Sequence, residues 1–125
     1  MTGLLLDTHV LLWWLEDSPE LSDDLKNQID TELDVYVSAA TVWELSIKSA
    51  TGKLKLPDDL TGLIERSGLS DLPIRMTHAD LAGRLPAIHR DPFDRMLVAQ
   101  ALVEKLTIVT RDGLIHQYEA PTIKA

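Results

Sequence analysis

The chain contains no cysteine, which excludes disulfide bonds, thiolate metal sites and cysteine nucleophiles and fits a cytoplasmic setting. It has no basic leader, and Asp7 and His9 interrupt the apolar stretch at its start, so no signal peptide is expected. Near that end the longest uninterrupted apolar run is Val10–Leu15, far short of the ~20 residues that span a bilayer. Basic residues are scarce: 12 Lys and Arg stand against 20 Asp and Glu, a net charge of −8. That balance argues against a general nucleic-acid binder, which presents a basic face. It leaves open an enzyme that meets nucleic acid through bound cations, and it suits a protein whose partner is basic. No G-x-S-x-G, P-loop or G-x-G-x-x-G occurs, so no competing nucleophile or phosphate-cradle machinery is present. Internal repeats, linkers and low-complexity stretches are also missing.

What is there reads as one domain over residues 1–125, large enough for a hydrophobic core without staples. Leu4-Leu5-Leu6 is a buried strand, and Asp7 follows it at once. A bare carboxylate at that edge must be capped, paired or bound to a cation, because an isolated buried charge is very costly. Thr8–Leu15 reads as a helix capped by Asp7 or Thr8, and its all-round apolar segment needs cover from other helices or a second subunit. Ser18-Pro19-Glu20 predicts a helix start, with Leu21, Leu25 and Ile29 on one stripe to about Thr31. Val35–Val37 is the next strand, followed by a helix from Ser38 to about Ser49 that carries Trp43, Ile47 and Ala50 at helical spacing and stops at Thr51-Gly52.

Asp58 or Asp59 caps a helix running to about Ser67, and Leu72–Arg75 is a weak strand, placed at an edge by its proline. Thr77 to about Leu85 is helical, Pro86–Arg90 is a loop, and Phe93 to about Lys105 is the strongest helix, opened by Asp91-Pro92. Leu106–Val109 is a buried strand and Thr122–Lys124 a short final one. Strands alternating with helices from end to end predict an α/β domain with a mainly parallel sheet covered on both faces.

Such sheets hold ligands outside the carboxyl ends of their strands. Asp7 and Asp112 each follow a buried strand, Asp94 opens the helix feeding the later one, and Glu44 lies in the second turn of the helix after Val35–Val37. Each has a plain alternative. Asp7 suits a cap, Glu44 suits a capping box and an ion pair with Lys48, Asp94 suits the first turn after an Asp91 cap, and Asp112-Gly113 suits a turn. Together they are harder to explain, since clustered carboxylates repel unless a cation neutralises them. Oxygen-only clusters suit Mg²⁺ or Mn²⁺, which can activate water and clamp a phosphodiester between ions about 3.5–4 Å apart.

Three stretches resemble PIN-domain ribonucleases of the VapC toxin type: Leu4–Trp13, Val37–Leu45, and His89–Ala101 running into Thr107–Asp112. The resemblance implies a three-layer α/β/α PIN-like fold and a Mg²⁺- or Mn²⁺-dependent endoribonuclease, the toxin of a toxin–antitoxin pair. It carries the four acids onto Asp7, Glu44, Asp94 and Asp112 as catalytic metal ligands, with Asp91 as a cap or outer ligand. Thr8, Ser38 and Thr110 match small hydroxyl positions that often line such sites. Lys48, Arg90, Arg95 and Arg111 become candidates for holding RNA phosphates, with solvated surface as the plainer alternative. The histidines at 9, 78, 89 and 116 show no ligand spacing; His9, close to Asp7, is a candidate support behind the metal ligands, with a structural role as its leading reading. The implied partners are a cognate antitoxin, an RNA substrate and a second copy of the chain, with Val10–Leu15 and the surroundings of Trp43 as candidate contacts.

Two other classes compete. One is a catalytically inactive PIN-like binding module, against which the four acids speak. The other is a phospho-acceptor receiver domain, which needs an acidic pair at the first strand and a late lysine; here Asp7 stands alone and Val109 is followed by Thr110-Arg111.

Overall fold

The computed structural model describes residues 3–125. Its sheet has five parallel strands: β1 (Leu4–Leu6), β2 (Val35–Ser38), β3 (Ser70–Leu72), β4 (Thr107–Thr110) and β5 (Thr122–Lys124), in the order β3-β2-β1-β4-β5. β1 is central, with Leu4, Leu5 and Leu6 opposite Val35, Tyr36 and Val37 on one side and Thr107, Ile108 and Val109 on the other. A strand buried on both faces reads as a continuous apolar run, which is why three leucines suffice here.

Alternation along β1 divides the core into two layers. Leu4 and Leu6 pack with Val10, Leu11, Leu25, Ile29, Leu45 and Ile64. These come from α1 (Thr8–Leu15), α2 (Asp23–Thr31), α3 (Ala39–Ala50) and α4 (Leu60–Arg66). Leu5 faces the other way, against Leu97, Val98 and Ala101 of α6 (Pro92–Glu104). α5 (Met76–Arg84) packs on α6. The result is the expected three-layer α/β/α arrangement. Within α1, Val10 and Leu11 are fully buried, and Leu12 to Leu15 lean on the same core, so much of its apolar surface is covered within the chain. No helix among the described residues is long and apolar enough to cross a membrane.

Several boundaries moved. The second helix begins at Asp23 and not near Glu20, because Ser22 accepts the Leu25 N–H at 3.1 Å as its cap, while Ser18 only closes a turn on the Glu20 N–H. Leu21 is still buried, just ahead of the helix. On α3 the stripe of Trp43, Ile47 and Ala50 is the outer face, Trp43 being 61% exposed, and the inward residues are Ala40, Thr41, Glu44 and Leu45. Gly52, at φ 75°, follows the end of that helix as expected. The edge strand is β3, two residues earlier than the proline pattern predicts; Pro73 stands just beyond it. A 3₁₀ turn over Ile115–Gln117 had no sequence signal.

The chain winds from β1 through β2 to β3 on one side, then returns to place β4 and β5 on the other. The order therefore reverses beside β1, and the crevice outside the carboxyl ends of β1 and β4 is where such sheets hold ligands.

Candidate metal centre

Asp7 leaves β1 and caps α1. Its Oδ1 accepts the Val10 N–H at 2.9 Å, and its Oδ2 accepts the hydroxyl of Thr110 at the end of β4. Burial pushes its carboxyl above the usual range, against the pull of those two bonds and of His9. Thr8, the next residue, donates to Glu44 Oε1 at 2.7 Å, and the other Glu44 oxygen pairs with Lys48 at 3.1 Å. A glutamate comes to be buried on α3 because α1 offers it a hydroxyl and α3 itself offers a lysine one turn on.

Asp91 caps α6 by accepting the N–H groups of Phe93 and Asp94, with Pro92 at the first helical position. That cap sets Asp94 in the first turn, beside Asp112. Burial, then the charges of Asp91, Asp112 and Glu44, raise the Asp94 carboxyl to about 7, with His89 opposing them. Burial pushes Asp112 upward too, but a hydrogen bond from His89 and the N–H groups of Leu114 and Ile115 outweigh it, and its carboxyl sits below the ordinary range.

Asp7, Glu44, Asp94 and Asp112 line one cleft of about 480 Å³, together with Asp91 and Lys48. At its Asp94–Asp112 side, ligating atoms of His89, Asp94 and Asp112 all lie within 4.8 Å of one another, although His89 itself does not line the cleft. Thr8 and Thr110 take part as supports. The Thr110 hydroxyl also accepts the Asp112 N–H at 3.0 Å, so it ties the acid after β1 to the acid after β4. Ser38 does not reach the cleft: it is fully buried, caps the Ala40 N–H and donates to Gln100 Oε1, because it starts α3 on the sheet side.

Among the basic candidates, Arg95 turns inward to the backbone oxygens of Ala82, Leu85, Pro86 and His89. Arg111 lines the cleft while its guanidinium bonds Glu20 and the Ala125 carbonyl and lies 4.3 Å from the Trp13 ring centroid. Arg90 is exposed. Lys48 lines the cleft with Glu44 as its ion-pair partner. His89, whose spacing marks it as no ligand, touches both Asp94 and Asp112. The signal available was its place at the head of the His89–Asp94 stretch.

The PIN domain family model matches residues 4–120. Ribonuclease VapC22 of Mycobacterium tuberculosis is 26% identical over 124 residues, covering 97% of this chain and 95% of its own. Among solved structures, FitAcB from Neisseria gonorrhoeae superposes with a TM-score of 0.70 at 24% identity, covering 97% of this chain and 96% of that one. VapBC2 from Rickettsia felis, bound to a DNA fragment from its promoter, gives 0.74 at 14% identity and 98% of both chains. DNA-bound VapBC from Salmonella typhimurium gives 0.69 at 20% identity, over 99% and 98%. These structures share the fold.

Proposed function

The chain belongs to the PIN domain family, and from that premise we propose that it is a Mg²⁺- or Mn²⁺-dependent endoribonuclease acting as the toxin of a toxin–antitoxin pair. The observation that carries the reading is the under-neutralised acid cluster. Burial and neighbouring carboxylates lift Asp94 to about 7, so the cleft, where five acids meet Lys48 and Arg111, favours added positive charge. The donor set is carboxylate oxygen from Asp7, Glu44, Asp94 and Asp112, which fits hard divalent ions. Those four residues would hold the cation, which when bound supplies activated water and neutralises charge on a scissile phosphate.

The chain's own groups prepare that site. Val10 and Thr110 fix both oxygens of Asp7, Thr8 fixes one oxygen of Glu44, and the α6 cap fixes the backbone that carries Asp94. Lys48 leaves an ammonium at the cleft to meet an RNA phosphate. In this reading the unit is a single cytoplasmic domain over residues 1–125 that pairs with a second copy of the chain, for which the exposed Trp43 and Ile47 of α3 are the candidate contact, since the chain itself covers much of α1. Its antitoxin is a protein with a basic segment, which the net charge of −8 suits; the similar structures from Rickettsia felis and Salmonella typhimurium are VapBC complexes.

The test is RNA cleavage by the purified chain with Mg²⁺ or Mn²⁺ and with EDTA. Cleavage should require the ion and vanish in Asp7→Asn and Asp94→Asn, whose circular dichroism stays that of the wild type. Full activity in both variants sinks the mechanism. No cleavage by the wild type with either ion would leave the inactive binding module as the reading.

A further inference from the structure

His89 sits in the Pro86–Arg90 loop, yet its backbone is held from both sides. Its N–H donates to the Tyr118 hydroxyl at 2.8 Å, and that hydroxyl donates to the Pro86 carbonyl at 3.1 Å. Its carbonyl accepts Arg95 Nη1 at 3.3 Å, and the same guanidinium bonds the Pro86, Leu85 and Ala82 carbonyls. A loop gripped in this way can present its side chain in one place.

The ring is fixed too. Nδ1 accepts the Asp91 N–H at 3.2 Å, so in the neutral ring the proton lies on Nε2. Nε2 then donates to Asp112 Oδ2 at 2.8 Å and stands 3.0 Å from Asp94 Oδ2. For Nε2 to ligate a metal, the proton would have to move to Nδ1, where it would face the Asp91 N–H. The ring is therefore wired as a donor. A carboxylate oxygen has two lone pairs and can accept from His89 while offering the other to a cation.

We propose that His89 is a positioning residue: held from behind by Tyr118, Arg95 and the Asp91 N–H, it joins Asp94 on α6 to Asp112 after β4 and aims both at one divalent cation without ligating it. This rests on the metal-dependent reading given above. Hydrogen-bond partners of ligating groups typically matter about 10–100-fold in metal affinity.

The experiment measures Mn²⁺ binding by calorimetry and by pulsed electron paramagnetic resonance on the full chain, in wild type, His89→Ala, His89→Gln and Tyr118→Phe. His89→Ala should weaken binding by about 10–100-fold. His89→Gln, which keeps a terminal N–H donor, should recover most of it. Tyr118→Phe should fall between, through the loosened loop. The echo modulation of wild-type Mn²⁺ should lack the signature of a directly bound imidazole nitrogen. Unchanged or tighter binding in His89→Ala, or a directly bound nitrogen in the wild type, overturns the proposal while leaving the metal-dependent reading intact. A wild type that binds no Mn²⁺ overturns that reading and this proposal with it.

Discussion

The hydroxyl of Thr110 donates to Asp7 Oδ2 and accepts the backbone N–H of Asp112, so one atom at the end of β4 connects two acids 105 positions apart in the chain. Asp7 is buried, and a buried carboxylate that loses a donor carries most of its desolvation penalty unrelieved. Thr110→Val keeps the shape of the strand end and removes the hydroxyl. It should cost about 1–3 kcal/mol of stability and lower divalent-ion affinity by roughly 10–100-fold, while Thr110→Ser retains both. Thermal melts and Mn²⁺ titrations check this. Equal affinities in all three proteins would mean that the hydroxyl supports the strand alone.

Asp94 yields a pH prediction with a definite sign. Its folded value is raised from 3.8 to about 7, chiefly by burial and then by Asp91. Between those values the native state binds more protons than the unfolded chain, so the stability this group contributes is full below the unfolded value and is lost as pH rises through about 7. The metal-free wild type should therefore lose Tm relative to Asp94→Asn on going from about pH 5 to about pH 8. Mn²⁺ favours the charged carboxyl, so its stabilising effect on the wild type should grow over the same interval. A Tm difference that is flat in pH would remove the raised Asp94 value.

Lys48 is the basic side chain best placed to meet RNA. Arg95 is turned to backbone carbonyls, and Arg111 is occupied by Glu20, the Ala125 carbonyl and the face of Trp13. The Lys48 ammonium carries three donors and lines the cleft with its Glu44 ion pair. Lys48→Ala in an Asp7→Asn background, where RNA is not cut, should weaken single-stranded RNA binding and reduce the salt slope by about 0.7. Lys48→Arg should keep the slope. A slope that does not change on removing Lys48 would make the lysine a partner of Glu44 and nothing more.

These residues also show where sequence reasoning works. Leu4–Leu6 was legible as a central strand because burial on both faces leaves a run of apolar residues with no alternation. The four acids were legible singly, and most of their plain readings hold alongside the cleft: Asp7 is a cap, Asp94 stands in the first turn after the Asp91 cap, Asp112 accepts in a turn, and Glu44 pairs with Lys48. The capping box does not form, because Ser38 caps α3 and Thr41 lies inside the helix, its hydroxyl without a partner among the described residues. Local rules cannot exclude a second role, because a carboxylate has more acceptor sites than one cap uses. The start of α2 was placed too early because Ser18-Pro19-Glu20 carries a start signal, whereas Ser22 supplies the cap in the fold. Spacing alone did not say which way the α3 stripe faces: Trp43 and Ile47 turn outward, and Thr8 on α1 supplies the hydroxyl that lets Glu44 face inward. His89 was missed since its partners lie 5 and 23 positions away, outside any i, i+4 rule.

Arg95 gives the sharpest contrast with Lys48. Sequence alone set both near the acids as candidates for phosphate. In the fold, the Arg95 guanidinium spans four carbonyls, from Ala82 on α5 to His89 in the loop, and reaches the Tyr118 hydroxyl. A planar fork with five donors can do this; a lysine ammonium, one point with three, cannot. Arg95→Met leaves those carbonyls without their donor and should destabilise the protein by about 3 kcal/mol, with Arg95→Lys only partly better. The same change loosens the backbone that presents His89, so Mn²⁺ affinity should fall with Tm. The salt slope of RNA binding should stay at its wild-type value, the reverse of the Lys48→Ala result. A reduced slope with Tm intact would turn Arg95 outward again, towards the phosphate that its sequence position first suggested.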